Sequence, residues 1–474
     1  MNEKVQNTIM DIKIKNAVLV GIHLPKISNQ EFESSLQELA RLVTTLGYSV
    51  VGQVTQKRTS DRSPSILGSG KLKELSEWTG GTGEIASAVE HKLSKAATKW
   101  QEEKLAEESE NEQLINEQDD QGQLPDEKKG SAQIVIVDTD LSPSQIRNLE
   151  SAAGVTVLDR TGVIIEIFSR HARTKAARLQ VEIARLAYMA PRLRETGGGE
   201  DRQGGGVGGK GSGESSLELD KRKIRDRIKE LKTELASIGN EHQVRRARRE
   251  QEISVALVGY TNAGKSSLMR AMTGSEVLIA DKLFATLDTT IRPLHPETRP
   301  KVLLSDTVGF IKKLPHDLVA SFKSTLDEAL NASLLLFIVD ASDPSFRSQL
   351  EVTQNVLAEV GAKEIPSLLI LNKRDRLSEQ QALSLREEYP DALMISTRDK
   401  ADLKILRDKI MSYFESNMLD EEIFVPYSAK GIIGEIRGKM RVLDESYNES
   451  GVTLKVRSYA EALAQIKKKI LVKK

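Results

Sequence analysis

The segment that most constrains the fold of this chain runs from residue 253 to residue 274. It begins with ISVALV (253–258), an apolar run typical of a buried strand, continues as GYTNAGKS (259–266), and enters the helix-like SLMRAMTG. The middle part matches G-x-x-x-x-G-K-[ST] at every fixed position. A strand, a glycine-rich turn and a helix in this order predict a phosphate-binding loop in an α/β sheet, rather than a glycine turn with a chance lysine.

This loop assigns roles to two side chains. Its backbone N–H groups would surround phosphate oxygens, the Lys265 ammonium would reach the β- and γ-phosphates, and the Ser266 hydroxyl would hold Mg²⁺. We therefore place Lys265 among the catalytic residues and expect alanine there to abolish productive triphosphate binding. The predicted nucleotide contacts of the loop are Gly259, Tyr260, Thr261, Asn262, Ala263, Gly264, Lys265, Ser266 and Ser267.

Asn262 has two interpretations. Two positions before the GKS of the loop, its side-chain carbonyl could coordinate a monovalent cation such as K⁺ beside the phosphates. Alternatively, its side chain stabilises the loop through a hydrogen bond to the backbone, which is the commoner use of asparagine in turns. The sequence leaves both open and favours the second.

A second segment expected at the phosphates is SDTVGFIKKLPHD (305–317). Asp306 could orient the Mg²⁺ shell, and the amide of Gly309, the last residue of a D-x-x-G pattern, could sense the γ-phosphate in a catalytic role. The next residue is Phe310, where many such enzymes carry a glutamine that orients the attacking water. A phenyl ring cannot orient water, so we expect slow intrinsic turnover and catalytic help from a partner. The predicted nucleotide contacts here are Asp306, Thr307, Val308 and Gly309.

Between these segments lies DKLFATLDTT (281–290), where a threonine could close over Mg²⁺ when a γ-phosphate is present. We favour Thr286 as this catalytic residue, while Thr289 and Thr290 are competitors that spacing does not separate. The predicted nucleotide contacts here are Phe284, Ala285, Thr286, Leu287 and Asp288. The predicted Mg²⁺ ligands are Ser266, Thr286 and Asp306.

NKRD (372–375), after the strand-like SLLILN, identifies the base. The Asp375 carboxylate can accept from both N1–H and the 2-amino group of guanine, Asn372 can meet the O6/N7 edge, and the Lys373 stem can lie along the ring. An adenine would leave the carboxylate unpaired, so the predicted nucleotide is GTP. Asparagine at 375 should shift the preference toward xanthosine triphosphate. The predicted base contacts are Asn372, Lys373, Arg374, Asp375, Ser396, Thr397 and Arg398.

Length, element pattern and composition predict how the rest of the chain is divided into domains. At 474 residues, length alone favours about three domains. Strands and helices alternate over 251–416, which predicts a doubly wound GTPase domain. An α/β domain is predicted over 1–160, interrupted by an acidic, low-complexity insertion at about 80–131, and a small α+β domain over 417–474, with a helical IGEIRGKMRVLDESY. GSGK (68–71) lacks a preceding strand and reads as a turn before a helix more than as a phosphate site.

Residues 161–250 are predicted to form a helical hairpin. One helix is expected at 163–190 and another at 215–249, joined by the glycine-rich GGGEDRQGGGVGGKGSGE (197–214). The helices of this hairpin also carry many basic side chains. A basic helix face is more often a solvated surface, although it can also bind RNA phosphates. The basic residues are Arg170, Arg173, Lys175, Arg178, Lys210, Arg245, Arg246, Arg248 and Arg249.

The balance of 69 Lys+Arg against 69 Asp+Glu hides any such local charge, and the absence of cysteine excludes disulfides and thiolate chemistry. No signal peptide is recognised, and the longest apolar run, LLLFIV (334–339), is far short of a membrane span. We therefore expect a cytoplasmic protein without a membrane span, and a monomer.

With these motifs placed, the chain resembles the HflX family of ribosome-associated GTPases. The matching stretches include VGQVTQKR, LSPSQIRNLE, VLDRTGVIIEIFSRHARTKAARLQVEIARL, GYTNAGKS, DTVGFI and NKRD, and they cover nearly all of the chain except 80–131. The resemblance implies a GTP-hydrolysing switch that binds the large ribosomal subunit and dissociates stalled ribosomes under stress. It also implies that the hairpin enters ribosomal RNA near the peptidyl-transferase centre. A factor of another class, which clamps the subunit during assembly or hibernation without splitting ribosomes, is the alternative.

Four departures from the family are visible. The stretch between the first helix of the hairpin and its loop is short, and the acidic insertion is unusual. STRDKAD (396–402) replaces the common S-A-x-x-G in the loop expected to make the last guanine contact. The glycine loop usually continues G-T-R-G-P-G-E-T, and losing its proline should loosen the tip. In this chain the corresponding residues are Gly209, Lys210, Gly211, Ser212, Gly213, Glu214 and Ser215.

Overall fold

The computed structural model describes residues 15–85, 130–193, 216–247, 253–274, 283–284, 289–312, 328–429 and 431–472. The strands are β1 Lys15–His23, β2 Tyr48–Lys57, β3 Ile134–Val137, β4 Thr156–Asp159, β5 Ile253–Gly259, β6 Thr290–Pro293, β7 Val302–Asp306, β8 Leu334–Asp340, β9 Ser367–Asn372, β10 Leu393–Met394, β11 Leu419–Pro426, β12 Arg441–Tyr447 and β13 Gly451–Ser458. The α-helices are α1 Asn29–Thr45, α2 Ser69–Thr79, α3 Pro143–Ala153, α4 Arg160–His171, α5 Lys175–Met189, α6 Ser216–Ala247, α7 Lys265–Thr273, α8 Phe346–Glu359, α9 Glu379–Glu388, α10 Lys400–Glu415, α11 Ile432–Lys439 and α12 Ala460–Val472.

These elements form two compact units. One comprises Met1–Arg170 with Ala184–Ile228, and the other His171–Ile183 with Lys229–Lys474. Each contains a wholly or mainly parallel sheet covered by helices, so the predicted mixed α/β class is confirmed. The boundaries of the four domains drawn from the sequence stay a prediction. None of the described helices is long and apolar enough to cross a bilayer.

The first unit is built on a parallel sheet of order β2-β1-β3-β4. Val18, Val135 and Leu75 belong to the core on its α2–α3 side. Gly52 is required there, because a Cβ at this position would lie 2.2 Å from the Trp78 ring. GSGK is the start of α2, with Gly68 as its N-cap, which agrees with the turn interpretation.

The single helix predicted over 163–190 is wrong, because the structure breaks it at residues 172–174. Thr174 is the cause on the far side of the break: its hydroxyl accepts the backbone N–H of Ala177 at 3.2 Å and caps α5. The apolar spacing runs on through this break, so periodicity alone could not reveal it. The buried residues of α4 include Val163, Ile164, Ile167 and Phe168.

Helix α6 is long and mostly exposed over its described side chains. Leu231 is buried, whereas Lys221, Arg225 and Lys229 are exposed. Lys175 Nζ at the start of α5 lies 2.6 Å from Glu234 Oε1, in the second half of α6. This ion pair is what an antiparallel pairing of the two helices requires.

The second unit contains a six-stranded sheet of order β10-β9-β8-β5-β7-β6. All neighbours are parallel except β6, which is antiparallel to β7. The carboxyl ends of β5, β7, β8 and β9 therefore meet at one edge, which is where open α/β sheets bind ligands.

The C-terminal segment forms an antiparallel sheet of order β11-β13-β12 with α11 and α12 packed on one face. The sequence placed IGEIRGKMRVLDESY in one helix, and this is wrong after Lys439. Met440 is extended (φ −120°, ψ 153°), and RVLDESY is β12, paired with β13. Strand pairing overrides the weak helical preference of this stretch.

Candidate nucleotide-binding site

Two glycines shape the phosphate loop after β5. Gly259 has φ +150°, and a Cβ there would lie 2.2 Å from the carbonyl oxygen of Ile338. Gly264 has φ +100°, and its Cβ would lie 2.2 Å from Asn372 Nδ2. A side chain fits at neither position, which explains the fixed glycines of the motif. Helix α7 starts at Lys265, so its first N–H groups open toward the loop.

Lys265 is buried beneath this loop. Its ammonium donates to the backbone oxygens of Gly259 at 3.0 Å and Tyr260 at 2.7 Å. Burial lowers the pKa of Lys265 to about 8, and the negative charge of Asp306 opposes that shift. A cation held by two carbonyl oxygens can turn to phosphate oxygens, which are stronger, charged acceptors.

This pKa predicts a pH dependence of GTP binding. The triphosphate raises the pKa of Lys265, so above pH 8 the free protein must take up a proton when GTP binds. GTP affinity should then fall by about tenfold per pH unit above 8, until the pKa of the complex is reached. Titration of GTP at pH 7.5 and 9.5, with calorimetry in two buffers of different ionisation enthalpy, measures both affinity and proton uptake.

The matched control for that experiment is Lys265→Ala. Without the ammonium, proton uptake should vanish, and GTP should bind about 100-fold more weakly, because about 3 kcal/mol of charge-assisted hydrogen bonding is lost. Affinity that stays constant from pH 7.5 to 9.5, or full affinity in this variant, would contradict the assignment.

The predicted Mg²⁺ ligands fit the ion as far as the structure describes them. Ser266 Oγ donates to Asp306 Oδ2 at 2.6 Å, which brings a hydroxyl and a carboxylate together beside the phosphate loop. Hard oxygen donors of this kind, completed by phosphate oxygens and water, suit Mg²⁺. Thr286, the third predicted ligand, lies outside the described residues, as do Ala285, Leu287 and Asp288. Thr290 opens β6, opposite Asp306.

The D-x-x-G segment is docked on the phosphate loop. The backbones pair in a parallel bridge: Phe310 N–H donates to Gly259 O at 3.1 Å, and Thr261 N–H donates to Phe310 O at 2.8 Å. A Cβ on Gly309 would lie 3.0 Å from Lys265 Nζ, so this glycine passes directly over the lysine. The Phe310 side chain is 3% exposed and therefore buried. Thr307 and Val308 are also buried.

Tyr260 adds a contact that the sequence did not reveal. Its hydroxyl accepts the backbone N–H of Lys312 at 2.6 Å, while its own backbone bridges to Phe310. Phe284, before the undescribed residues 285–288, is buried with φ +58°.

The NKRD segment ties β9 to the phosphate loop. Asn372 Nδ2 donates to Ala263 O at 2.8 Å, and Lys373 Nζ donates to Asn262 O at 2.9 Å and to Asp340 Oδ2 at 2.6 Å. Asp340 was missed by sequence reasoning. The available signal was its place at the end of a strand, beside the predicted site edge.

Asp375 and Ser396 meet at the base end of the site. The Ser396 hydroxyl donates to Asp375 Oδ1 at 2.7 Å, and this hydrogen bond is the main cause that lowers the pKa of Asp375. The carboxylate is therefore ionised at neutral pH and exposed to solvent, as an acceptor for two guanine N–H groups must be. Arg398 lies 3.7 Å from Asp375 Oδ2, and Thr397 is half-buried.

Comparison with known proteins gives matches along the whole chain. Residues 254–373 match the family described as "50S ribosome-binding GTPase", residues 171–249 "GTP-binding GTPase Middle Region", and residues 33–111 and 123–169 "GTP-binding GTPase N-terminal". A relative from Gluconacetobacter diazotrophicus, "GTPase HflX", is 55% identical over 96% of this chain and 97% of its own length. "GTPase HflX" of Escherichia coli is 34% identical over 87% of this chain and 86% of its own.

Among solved structures, a GTP-binding protein of Sulfolobus solfataricus in complex with GDP is similar at a TM-score of 0.42. It is 24% identical and covers 84% of this chain and 98% of its own. The sequence relatives settle both family and reaction: the chain belongs to the HflX family and is a GTPase.

Proposed function

We propose that this chain is a GTP-gated factor that binds the large ribosomal subunit and dissociates stalled or idle ribosomes in the cytoplasm under stress. The observation that carries the proposal is similarity to GTPase HflX at 55% identity over 96% of the chain, together with the match of residues 254–373 to the ribosome-binding family. The assembled guanine and phosphate contacts support a GTP-dependent step.

The exposed surface of α6 supports binding to RNA near the peptidyl-transferase centre. Between residues 218 and 232 it carries seven Lys or Arg against four Asp or Glu, and all seven basic side chains are exposed. A helix that is polar nearly all round gains little from packing on its own domain, and a polyanion would use this charge. The side chains of Lys210, Arg245, Arg246, Arg248 and Arg249 lie outside the described residues.

The contacts around Gly259 supply a gating mechanism. Its carbonyl oxygen accepts from both Lys265 Nζ and the Phe310 amide. When Lys265 turns to the β- and γ-phosphates, it leaves this oxygen, so triphosphate binding changes the anchor of the D-x-x-G segment. The Gly309 amide would then sense the γ-phosphate, and Ser266, Thr286 and Asp306 would hold a Mg²⁺ ion, which supplies positive charge to the phosphates.

Sedimentation of intact ribosomes tests the proposed splitting. With the protein and a non-hydrolysable GTP analogue, we expect coupled ribosomes to separate into subunits, with the protein on the large one. With GDP the couples should persist. Couples that stay intact although the protein binds them would favour the clamp of assembly or hibernation.

We also propose K⁺ as an activator, on the geometry of Asn262. This residue is exposed with φ +61°, and its side chain makes no hydrogen bond within the described part of the chain. The loop-stabilising interpretation therefore has no contact behind it, and the amide is available to a cation beside the phosphates. GTP turnover should be faster in K⁺ than in Na⁺ at equal ionic strength, and Asn262→Ala should remove the difference. Equal rates in the two salts would contradict activation by K⁺ bound at Asn262.

A further inference from the structure

The loop after β10 departs from its family's pattern, and the structure shows what holds it. Residues 396–402 read STRDKAD. Ser396 is 3% exposed and still reaches Asp375, although the usual A-x-x-G is absent. Another group must therefore fix the backbone of Ser396, because a hydroxyl can orient a carboxylate only when its own position is fixed.

Asp402 is the buried group that holds the N–H of Ser396, while the Asp399 N–H donates to Ser396 O at 3.0 Å and the Arg398 N–H to Ser396 Oγ at 3.3 Å. Asp402 lies in the first turn of α10 and is 4% exposed. Its Oδ2 accepts the backbone N–H of Ser396 at 2.8 Å and lies 3.2 Å from a guanidinium nitrogen of Arg374. A buried carboxylate is stable only when its hydrogen bonds are made, and the positive end of the helix dipole favours its charge.

Arg374 closes the connection from the other side. It directly precedes Asp375, and its backbone N–H donates to Ile395 O at 3.1 Å. Its guanidinium lies 3.2 Å from both the Asp399 and the Asp402 carboxylates. Asp399 Oδ1 also accepts the Ala401 N–H at 2.8 Å and caps α10. The start of α10 thus holds Ser396 directly and also holds Arg374, the residue before Asp375. It therefore anchors the backbone on both sides of the Asp375–Ser396 hydrogen bond.

We propose that Asp402 is a positioning residue for guanine recognition. Acting through Ser396, it fixes the Asp375 carboxylate in the orientation that accepts from the 2-amino group of guanine. This inference rests on the proposed role of Asp375 in base binding. It predicts that a residue that does not contact the nucleotide sets the selectivity for its base.

The test compares GDP with inosine diphosphate, whose base lacks the 2-amino group, by calorimetric titration of the full chain. The unmodified protein should prefer GDP. Asp402→Ala should lower the ratio of GDP to inosine diphosphate affinity about tenfold, because the Asp375 carboxylate loses its fixed orientation. Asp408→Ala removes an exposed carboxylate from the same helix and should leave the ratio unchanged.

A double variant separates positioning from general damage. If Asp402 acts through Ser396, the Ser396→Ala/Asp402→Ala protein should have a ratio no lower than the worse single variant, whereas independent effects would multiply. Equal losses of GDP and inosine diphosphate affinity, or multiplying effects, would overturn the proposal.

If Asp402→Ala does not fold, Asp402→Asn keeps the size and removes the charge opposite Arg374. It should lower the ratio about threefold, and an unchanged ratio would also overturn the proposal. Failure of the base site itself has another signature: Asp375→Asn would then leave the preference for GTP over xanthosine triphosphate unaltered.

Discussion

In the Asp375→Asn variant, xanthosine triphosphate should bind more tightly than GTP, reversing a selectivity of about 10⁴. The reason lies in the two oxygens of this carboxylate. Oδ1 accepts the Ser396 hydroxyl at 2.7 Å. An asparagine that keeps this hydrogen bond through its amide oxygen places its NH₂ group at the Oδ2 position. That group repels the guanine 2-amino group and donates to the 2-oxo group of xanthine.

Competition titrations with GTP, xanthosine triphosphate and ATP measure this reversal. Asp391→Asn is the matched control, because Asp391 is exposed in the segment before β10 and makes no hydrogen bond to NKRD (372–375) or STRDKAD (396–402) in the described structure. It should leave GTP preferred. A variant at 375 that still selects GTP would show that another group reads the base, and the proposed contacts of Asn372 and Ser396 would lose their support.

The residues of this site fall into two groups: those that the sequence identifies and those that only the structure reveals. Gly259 and Gly264 were predictable because positive φ and close backbone approach admit only glycine. Lys265, Asp306 and Asp375 were predictable because Lys265 and Asp375 follow a buried apolar strand at a fixed spacing and Asp306 ends one. Strand ends meet at one edge of a parallel sheet, so such signals also fix the fold of the domain.

Other contacts cannot be read from the local sequence, because a place at a strand end does not name the partner residue. Asp340 and Lys373 are 33 residues apart, and their ion pair exists only because β8 and β9 end side by side. Asp402 lies in STRDKAD, which departs from the pattern of the family. Only its burial beside Arg374 in the structure reveals its contact with the NKRD segment. The break at residues 172–174 and the strand β12 were missed for a related reason. Capping by one threonine and hairpin pairing of β12 with the following strand β13 override the local periodicity.

Purified large ribosomal subunits should raise GTP turnover by this chain about 10³- to 10⁵-fold, the range in which a partner completes a GTPase site in trans. The intrinsic rate is expected to be low because no glutamine follows Gly309. The structure adds that Phe310 is buried and that its backbone is bonded to Gly259 and Thr261. Its side chain thus cannot reach the attacking water while this bridge persists, so a partner must either move the segment or supply another group.

Single-turnover phosphate release, with and without large subunits, measures the stimulation, and small subunits serve as the matched control. Phe310→Gln distinguishes a missing glutamine from a docked segment. Because the side chain at residue 310 is buried and its backbone is held by the bridge, glutamine there should change the intrinsic rate by less than about tenfold and leave the stimulation in place. A large intrinsic gain in this variant would mean that the side chain alone limits turnover. Unchanged turnover with large subunits would instead remove the ribosome as the activating partner.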